Sequence, residues 1–302
     1  MSKAVKIKPT DCVPDEEIQS NILRNVGLIS EWEGPCKVHN GTAWLMSAGP
    51  SLKFATASMF PKEYFDDLPN DHIFCIKHAL PVLADAGIKP FACVALDPRP
   101  ISGTSTHGEL RESLYASAPK ETLMFIATMT HPSVTEYLLE NGYRVIGWHA
   151  ASGQHDRMTK EGRIPPMHSH AGGTCSAMRC ISVAHNMGFR KSNLIGFDCS
   201  LESEPEDLDA KIHHDPNNKD SLKPKYLEVH NPKDKDRFSF WTTGELVAQA
   251  QDIEHALQNE HMMDMELRFY ATDKGSSYGG SIVETNPNNT IRPDIAERYN
   301  LT

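Results

Sequence analysis

Residues 43–53 read AWLMSAGPSLK, and this stretch decides the fold. A short apolar run, of the kind a buried strand needs, stops at Gly49-Pro50, and a serine follows at once. Glycine and proline are the strongest local breaks of regular structure. Two readings stand at this point. One is a bare turn after a strand. The other is a backbone loop kept small so that a ligand can come close.

Working outward, the same kind of run recurs: HIFCIKHA (72–79), FACVALD (91–97), LMFIATM (123–129), YRVIGWHA (143–150), SNLIGFD (192–198) and ELRFYATD (266–273). Between them ALPVLADAGIK (79–89), HPSVTEYLLENG (131–142) and GTCSAMRCISVAHNMGF (173–189) carry apolar residues at helical spacing. Strands alternating with helices predict βαβ units and an α/β fold with a mostly parallel sheet. The runs are too continuously apolar for half-exposed strands, so both faces of the sheet should be covered.

Ligands of such sheets bind beyond the carboxyl ends of the strands, near the switch in strand order. The strand-end loops here hold Ser47 to Leu52, Lys77-His78, Asp97-Pro98-Arg99, Thr130-His131, His149 and Asp198 to Ser200. Asp97 suits a ribose hydroxyl or Mg²⁺, with Arg99 available to a phosphate, or it is a turn aspartate before proline. Gly172-Gly173-Thr174 opens a helix that runs to about Met187, with Gly188 as its C-cap. Free N–H groups at such a start attract anions, and an ordinary capped loop is the alternative.

No Gly-Lys-Ser/Thr phosphate loop and no GxGxxG fingerprint is present, which excludes a P-loop kinase and a dinucleotide dehydrogenase. Fifteen histidines include MHSH (His168, His170) and IHHD (His213, His214), which invite a zinc reading, but no CxxC or HExxH accompanies them to support it. Thirty basic against forty acidic residues give a net charge of −10, which excludes a nucleic-acid-coating role. No run reaches the roughly 18 apolar residues of a membrane span. The start has lysines but no apolar core of a secretory signal. Seven scattered cysteines, several inside apolar runs, point to a reduced, cytoplasmic protein without a disulfide framework.

Residues 1–42 show weak periodicity and read as an extension packed on the main body. Residues 202–236 are charged, proline-rich and poor in apolar side chains, which reads as an inserted lid loop. After them TTGELVAQAQDIEHALQN (242–259) reads as a helix, with Thr242 and Glu245 spaced as a capping box. Residues 286–302 form a polar tail.

MSAGPSL, IFCIKHALPVLADAGIKPFACVALD and AGGTCSAMRCISVAHNMGFRKSNLIGFDCS, in that order and spacing, resemble the MptE-like superfamily. It includes archaeal 6-hydroxymethylpterin diphosphokinases and the flagellar accessory factors called Maf proteins. Bacterial sialyltransferases share the Gly-Pro-Ser-Leu loop. The resemblance covers about residues 43–285 and implies a Rossmann-like, doubly wound domain that binds a nucleotide or nucleotide-sugar. Carried over, Gly49, Pro50, Ser51 and Leu52 face the donor, Gly172, Gly173 and Thr174 approach phosphate or sugar, and Asp198 closes the site.

His213 or His214 falls where Maf proteins often have a loop histidine and is a candidate general acid or base, with Asp198 the other catalytic candidate. The family commonly has asparagine after its second strand, where this chain has Lys77 and His78; lysine only donates hydrogen bonds. The resemblance implies glycosyl transfer from a nucleotide-sugar, without a cofactor, to a small-molecule, glycan or protein acceptor. A diphosphokinase using Mg²⁺ on Asp97 and Asp198 is the alternative, and a nucleotide-binding protein without catalysis is a third.

Overall fold

The structure, a computed structural model, describes residues 13–60, 62–66, 72–105, 108–170, 172–173, 175–201, 224–230, 237–257 and 264–270. Its strands are β1 (Thr42–Met46), β2 (His72–Ile76), β3 (Ala92–Ala95), β4 (Leu123–Ala127), β5 (Val145–Ala150), β6 (Ser169–His170), β7 (Lys191–Ile195), β8 (Pro224–His230), β9 (Arg237–Thr243) and β10 (Glu266–Tyr270). Eight of them form one sheet in the order β10-β7-β1-β2-β3-β4-β5-β6. Every pairing in it is parallel.

The chain therefore steps outward from β1 to β6 and then returns to the other side of β1 with β7 and β10. Strand order reverses between β1 and β7. Alternate side chains of each strand enter different cores, because successive strand residues face opposite sides. Leu45, Phe74, Val94 and Phe125 pack under α8 (Ser176–Asn186) and α9 (Gly244–Leu257). Trp44, Cys75, Cys93 and Ile126 pack under α4 (Leu80–Asp85), α5 (Arg111–Ala116) and α6 (Pro132–Glu140). Both faces are covered, which explains the unbroken apolar runs.

The extension holds α1 (Asp15–Leu28), a helix that the periodicity does not announce. Its buried face alternates Ile18 and Ile22 with Asn21 and Asn25, so half of the stripe is polar. The apolar half meets Met158 of α7 (Gly153–Lys160) and Ile164. Asn25 Nδ2 donates to the Thr128 and Thr130 carbonyls at 2.8 and 2.6 Å, and its Oδ1 accepts from Thr135 Oγ1 at 2.7 Å. These bonds tie the helix to the loop that leaves β4. Farther on, Glu33 N donates to Gly147 O at 2.9 Å, and Gly147 N donates to Glu31 O at 2.8 Å. Residues 31–33 thus lie along β5.

Within the stretch read as a lid, residues 224–230 form β8, which pairs antiparallel with β9 just beyond it in seven residue pairs from Pro224↔Thr243 to His230↔Arg237. The remainder, residues 202–223 and 231–236, lies outside the described residues. Leu201 N donates to Trp241 O at 2.7 Å, and Thr242 Oγ1 donates to Cys199 O at 2.9 Å, which fastens β9 to the chain leaving β7. The helix cap moves by one residue from the sequence expectation. Leu246 N donates to Thr243 Oγ1 at 3.2 Å, so Thr243, not Thr242, caps α9. Among the described residues no helix is long and apolar enough to cross a membrane.

Candidate active site at the carboxyl edge

At the switch point the β1 loop is bonded to the β7 loop. Ser47 N donates to Ile195 O and Gly49 N to Gly196 O, each at 2.8 Å. Gly196 N donates to Ser51 Oγ at 3.0 Å. Ser51 N, the first amide of α2 (Ser51–Phe54), donates to Asp198 Oδ2 at 2.8 Å. Pro50, at the N-cap, has no capping side chain, and Asp198 supplies that acceptor from across the fold.

A Cβ on Gly49 would lie 2.5 Å from the Gly196 carbonyl oxygen and would collide with the Asp198 carboxylate. Gly196 has φ +75° and sits as tightly against the Ser47 carbonyl. The small residues at the end of β1 therefore have a structural cause: two loops meet backbone to backbone. Ser51, Leu52 and Asp198 are buried beneath this joint. Burial pushes the Asp198 carboxyl up to about 6, against the opposing effect of its bonds from Ser51. Cys199 next to it takes φ +54°, an unusual conformation for a side-chain-bearing residue.

Lys77, Asp97 and Arg99 meet at the ends of β2 and β3. Lys77 Nζ bonds Asp97 Oδ2. Arg99 Nε donates to Asp97 Oδ1 at 2.8 Å and Nη2 to Oδ2 at 3.1 Å. Arg111, the first residue of α5, adds its Nε at 3.3 Å from Oδ2 and donates from Nη1 to Pro100 O at 2.6 Å. Burial alone would raise the Asp97 carboxyl, but Lys77 and Arg99 reverse this and hold it far below the usual range. Burial lowers Lys77, with Asp97 opposing.

Arg111 was not among the residues singled out from the sequence. The only trace is Gly103, whose missing side chain leaves room for the Arg111 guanidinium. His78 follows Lys77 in a single 3₁₀ turn.

Gly172 and Gly173 both have left-handed φ, +123° and +72°. A Cβ on Gly172 would meet Ser182 Oγ at 3.0 Å, and one on Gly173 would meet Asp252 Oδ2 of α9 at 2.9 Å. The glycine loop thus folds back along α8 and lies against a carboxylate. The helix begins at Ser176, whose Oγ accepts from Leu96 N at 3.2 Å. That contact puts its first turn beside the residue before Asp97. Its end is as expected from the sequence: Gly188 N donates to His185 O and Phe189 N to Ala184 O. Thr174, His213 and His214 lie outside the described residues.

Two of the three sequence-read groups are thus assembled, at neighbouring strand ends. The Mg²⁺ reading does not fit them. Asp97 Oδ2 faces Lys77, Arg99 and Arg111 and Oδ1 faces Arg99, so a dication there would meet three cations head on. Asp198 spends Oδ2 on Ser51. The two carboxylates also belong to separate joints. Among the described residues no three of His, Cys, Asp or Glu converge as metal ligands.

The remaining strand-end histidines serve other contacts. His131 accepts from Ser133 N at 3.2 Å and caps α6. His149 and His170 stand at the ends of β5 and β6, with His155 of α7 beside His149. His149 is held neutral, its imidazole lowered to about 4 by burial and then by His155 and His170. His170 Nε2 and Glu33 Oε2 are 2.6 Å apart.

A family model described as 6-hydroxymethylpterin diphosphokinase MptE-like matches residues 19–204. No curated protein matches the chain. Solved structures that match include the Maf glycosyltransferase from Magnetospirillum magneticum AMB-1, with a TM-score of 0.58 at 12% identity. That match covers 94% of this chain and 39% of the Maf chain, so this chain spans well under half of that protein's length. At such identity the likeness is one of fold. The family match takes in α8, β1 to β7 and both strand-end joints, and the chain belongs to the MptE-like family.

Proposed function

We propose that the chain is a transferase that takes a nucleotide-activated sugar of the nonulosonic-acid class at the carboxyl edge of the sheet and passes the glycosyl group to an acceptor hydroxyl. The observation that carries this choice is the state of the two aspartates. Asp97 is surrounded by Lys77, Arg99 and Arg111, and Asp198 caps Ser51. Neither is arranged as a magnesium ligand, which a diphosphokinase needs and a glycosyltransferase of this kind does not.

In the reaction the bond from the anomeric carbon to the phosphate oxygen breaks, and the electron pair leaves with the phosphate. The acceptor oxygen bonds to that carbon and its proton passes to a general base. His213 and His214 are the proposed bases. The loop from Gly49 to Leu52 and the turn at Gly172 to Thr174 are proposed to border the donor, with Lys77, His78 and Arg99 on the nucleotide side. Asp198, buried under the loop, acts as a positioning residue. The buried thiols Cys75, Cys93 and Cys180 fit a reducing, cytoplasmic setting.

The family's description keeps a second reading in play, pyrophosphate transfer from ATP to a hydroxymethylpterin-like alcohol. Product analysis separates the two. The purified chain is incubated with a CMP-activated nonulosonic acid, with and without EDTA, and in parallel with ATP, Mg²⁺ and hydroxymethylpterin. CMP release that survives EDTA is expected. AMP formation that stops with EDTA would replace the glycosyl reading by the diphosphokinase. Nucleotide binding with neither product would make the chain a binding protein.

A further inference from the structure

Lys77, Arg99 and Arg111 converge on one carboxylate from three places: the turn after β2, the loop after β3 and the start of α5. Lys77 Nζ and Arg111 Nε both face Asp97 Oδ2, and Arg99 spans both oxygens. Three positive charges against one negative leave this group at +2. Such an excess is costly to bury, because charges taken out of water need opposite charge beside them. Lys77 feels it. Even bonded to Asp97 it is lowered from its ordinary value, by burial first and, with Asp97 opposing, by Arg99 and Arg111.

The group meets solvent on one side. Side-chain exposure is 3% at Asp97, 5% at Arg111 and 8% at Lys77, against 19% at Arg99. An approaching anion therefore meets the Arg99 guanidinium, with Lys77 and Arg111 behind it. Asp97 takes Nε and one N–H of Nη2 of that guanidinium. The rest of its fork is not spent on Asp97. Ser176 Oγ accepts from Leu96 N, which sets the positive end of the α8 dipole beside the same strand end.

We infer that Lys77, Arg99 and Arg111 form the subsite of the departing phosphate, a nucleoside monophosphate dianion, and do there what a divalent cation would do. This rests on the transferase reading above and names the group that the cations serve. In the donor the phosphate is a diester with a single negative charge. As the bond from the anomeric carbon breaks, the electron pair stays on the phosphate oxygen, and the monoester that leaves carries close to two charges. A group at +2 gains most from that second charge, so it stabilises the transition state more than the bound donor. Arg99 touches the phosphate. Lys77 and Arg111 act on it through their charge, and Asp97 holds the three together.

Titration calorimetry in the presence of EDTA compares CMP, a dianion above neutral pH, with its methyl ester, which keeps the single charge of the donor phosphate. CMP is expected to bind at least about tenfold tighter. Arg99→Gln and Arg111→Gln should each cut that ratio severalfold, and Arg111→Lys, which keeps the charge, should restore it. A substitution that merely loosened the fold would weaken both ligands alike and leave the ratio standing. Where Arg111→Gln does not fold, Arg99→Gln, at the more exposed position, decides alone. Equal affinities in the unmodified chain, no binding of CMP, or a ratio unmoved by Arg99→Gln would each overturn the assignment. Turnover judges the transferase reading separately. CMP release from the donor alongside equal affinities would remove the subsite alone, whereas a preference for CMP without any turnover would remove the transferase reading and keep the dianion subsite.

Discussion

The two aspartates at the carboxyl edge are the same residue in equivalent places, one past β3 and one past β7, and they behave in opposite ways. Asp97 is buried among three cations and held ionised. Asp198 is buried against amide and hydroxyl donors, with its carboxyl pushed up to about 6. Burial acts on both in the same direction, so the difference lies in their partners alone. Asp97 is an organiser of charge. Asp198 is a helix cap that can change its protonation near neutral pH.

Breaking Asp97 should have the largest effect. Asp97→Asn leaves Lys77 buried without its carboxylate, and the loss should be about 3–5 kcal/mol of unfolding free energy in urea titration. A loss below about 1 kcal/mol would dissolve the contrast, because it would mean that the cations do not depend on this carboxylate.

Asp198 should show its difference through pH. Its folded carboxyl binds a proton up to about pH 6, against 3.8 as the ordinary value. The folded state therefore holds more protons than the unfolded chain in that window, and stability falls as pH rises through it. Relative to Asp198→Asn, the unmodified chain should lose about 2–3 kcal/mol between pH 4 and pH 7 and stay level above that. A difference that is flat with pH would return Asp198 to an ordinary carboxylate.

A smaller effect sharpens the backbone side of the joint. Gly49→Ala drives a methyl into the Gly196 carbonyl and the Asp198 carboxylate, and should cost about 1–2 kcal/mol with lowered donor affinity. Gly27→Ala in α1, where an added methyl meets nothing within 4 Å, should instead gain about 0.5–1 kcal/mol. Thermal melts of the pair in one buffer read both signs. Equal shifts would remove close approach as the reason for Gly49.

Much of this architecture was legible in the sequence, for a physical reason. β1 to β4 are buried on both faces apart from end residues and appear as apolar runs, whereas β7 and β10 mix polar residues such as Asn193 and Arg268 into theirs. Helix α1 did not show itself because Asn21 and Asn25 occupy half of its buried face, paired to carbonyls of the loops that leave β3 and β4. Strand β8 was hidden by charged neighbours that dominate the composition of residues 202–236. The shifted cap of α9 has a simple source: Thr242 and Thr243 are chemically alike, and only the Cys199 carbonyl claims the first.

The site was legible to the extent that strand ends could be counted. Lys77, Asp97, Arg99 and Asp198 followed from that rule. Arg111 did not, because it starts a helix and reaches Asp97 through space that Gly103 vacates. Likewise the glycines at 172 and 173 read as an open cradle, whereas Asp252, distant in sequence, fills the space beside them.

The parallel junction of β1 with β7 also bears on when the molecule becomes complete. Ser51 and its cap Asp198 are 147 residues apart in the chain. During synthesis at 5–20 residues per second, that separation corresponds to roughly 7–30 s between the emergence of one partner and of the other. Through that interval β1 has only β2 beside it, and its other edge waits for a strand not yet made. An exposed strand edge is a template for wrong pairing. The nascent chain thus has a timed vulnerability at its centre, and the closing of the β1–β7 joint both ends it and builds the loop on which the site is founded.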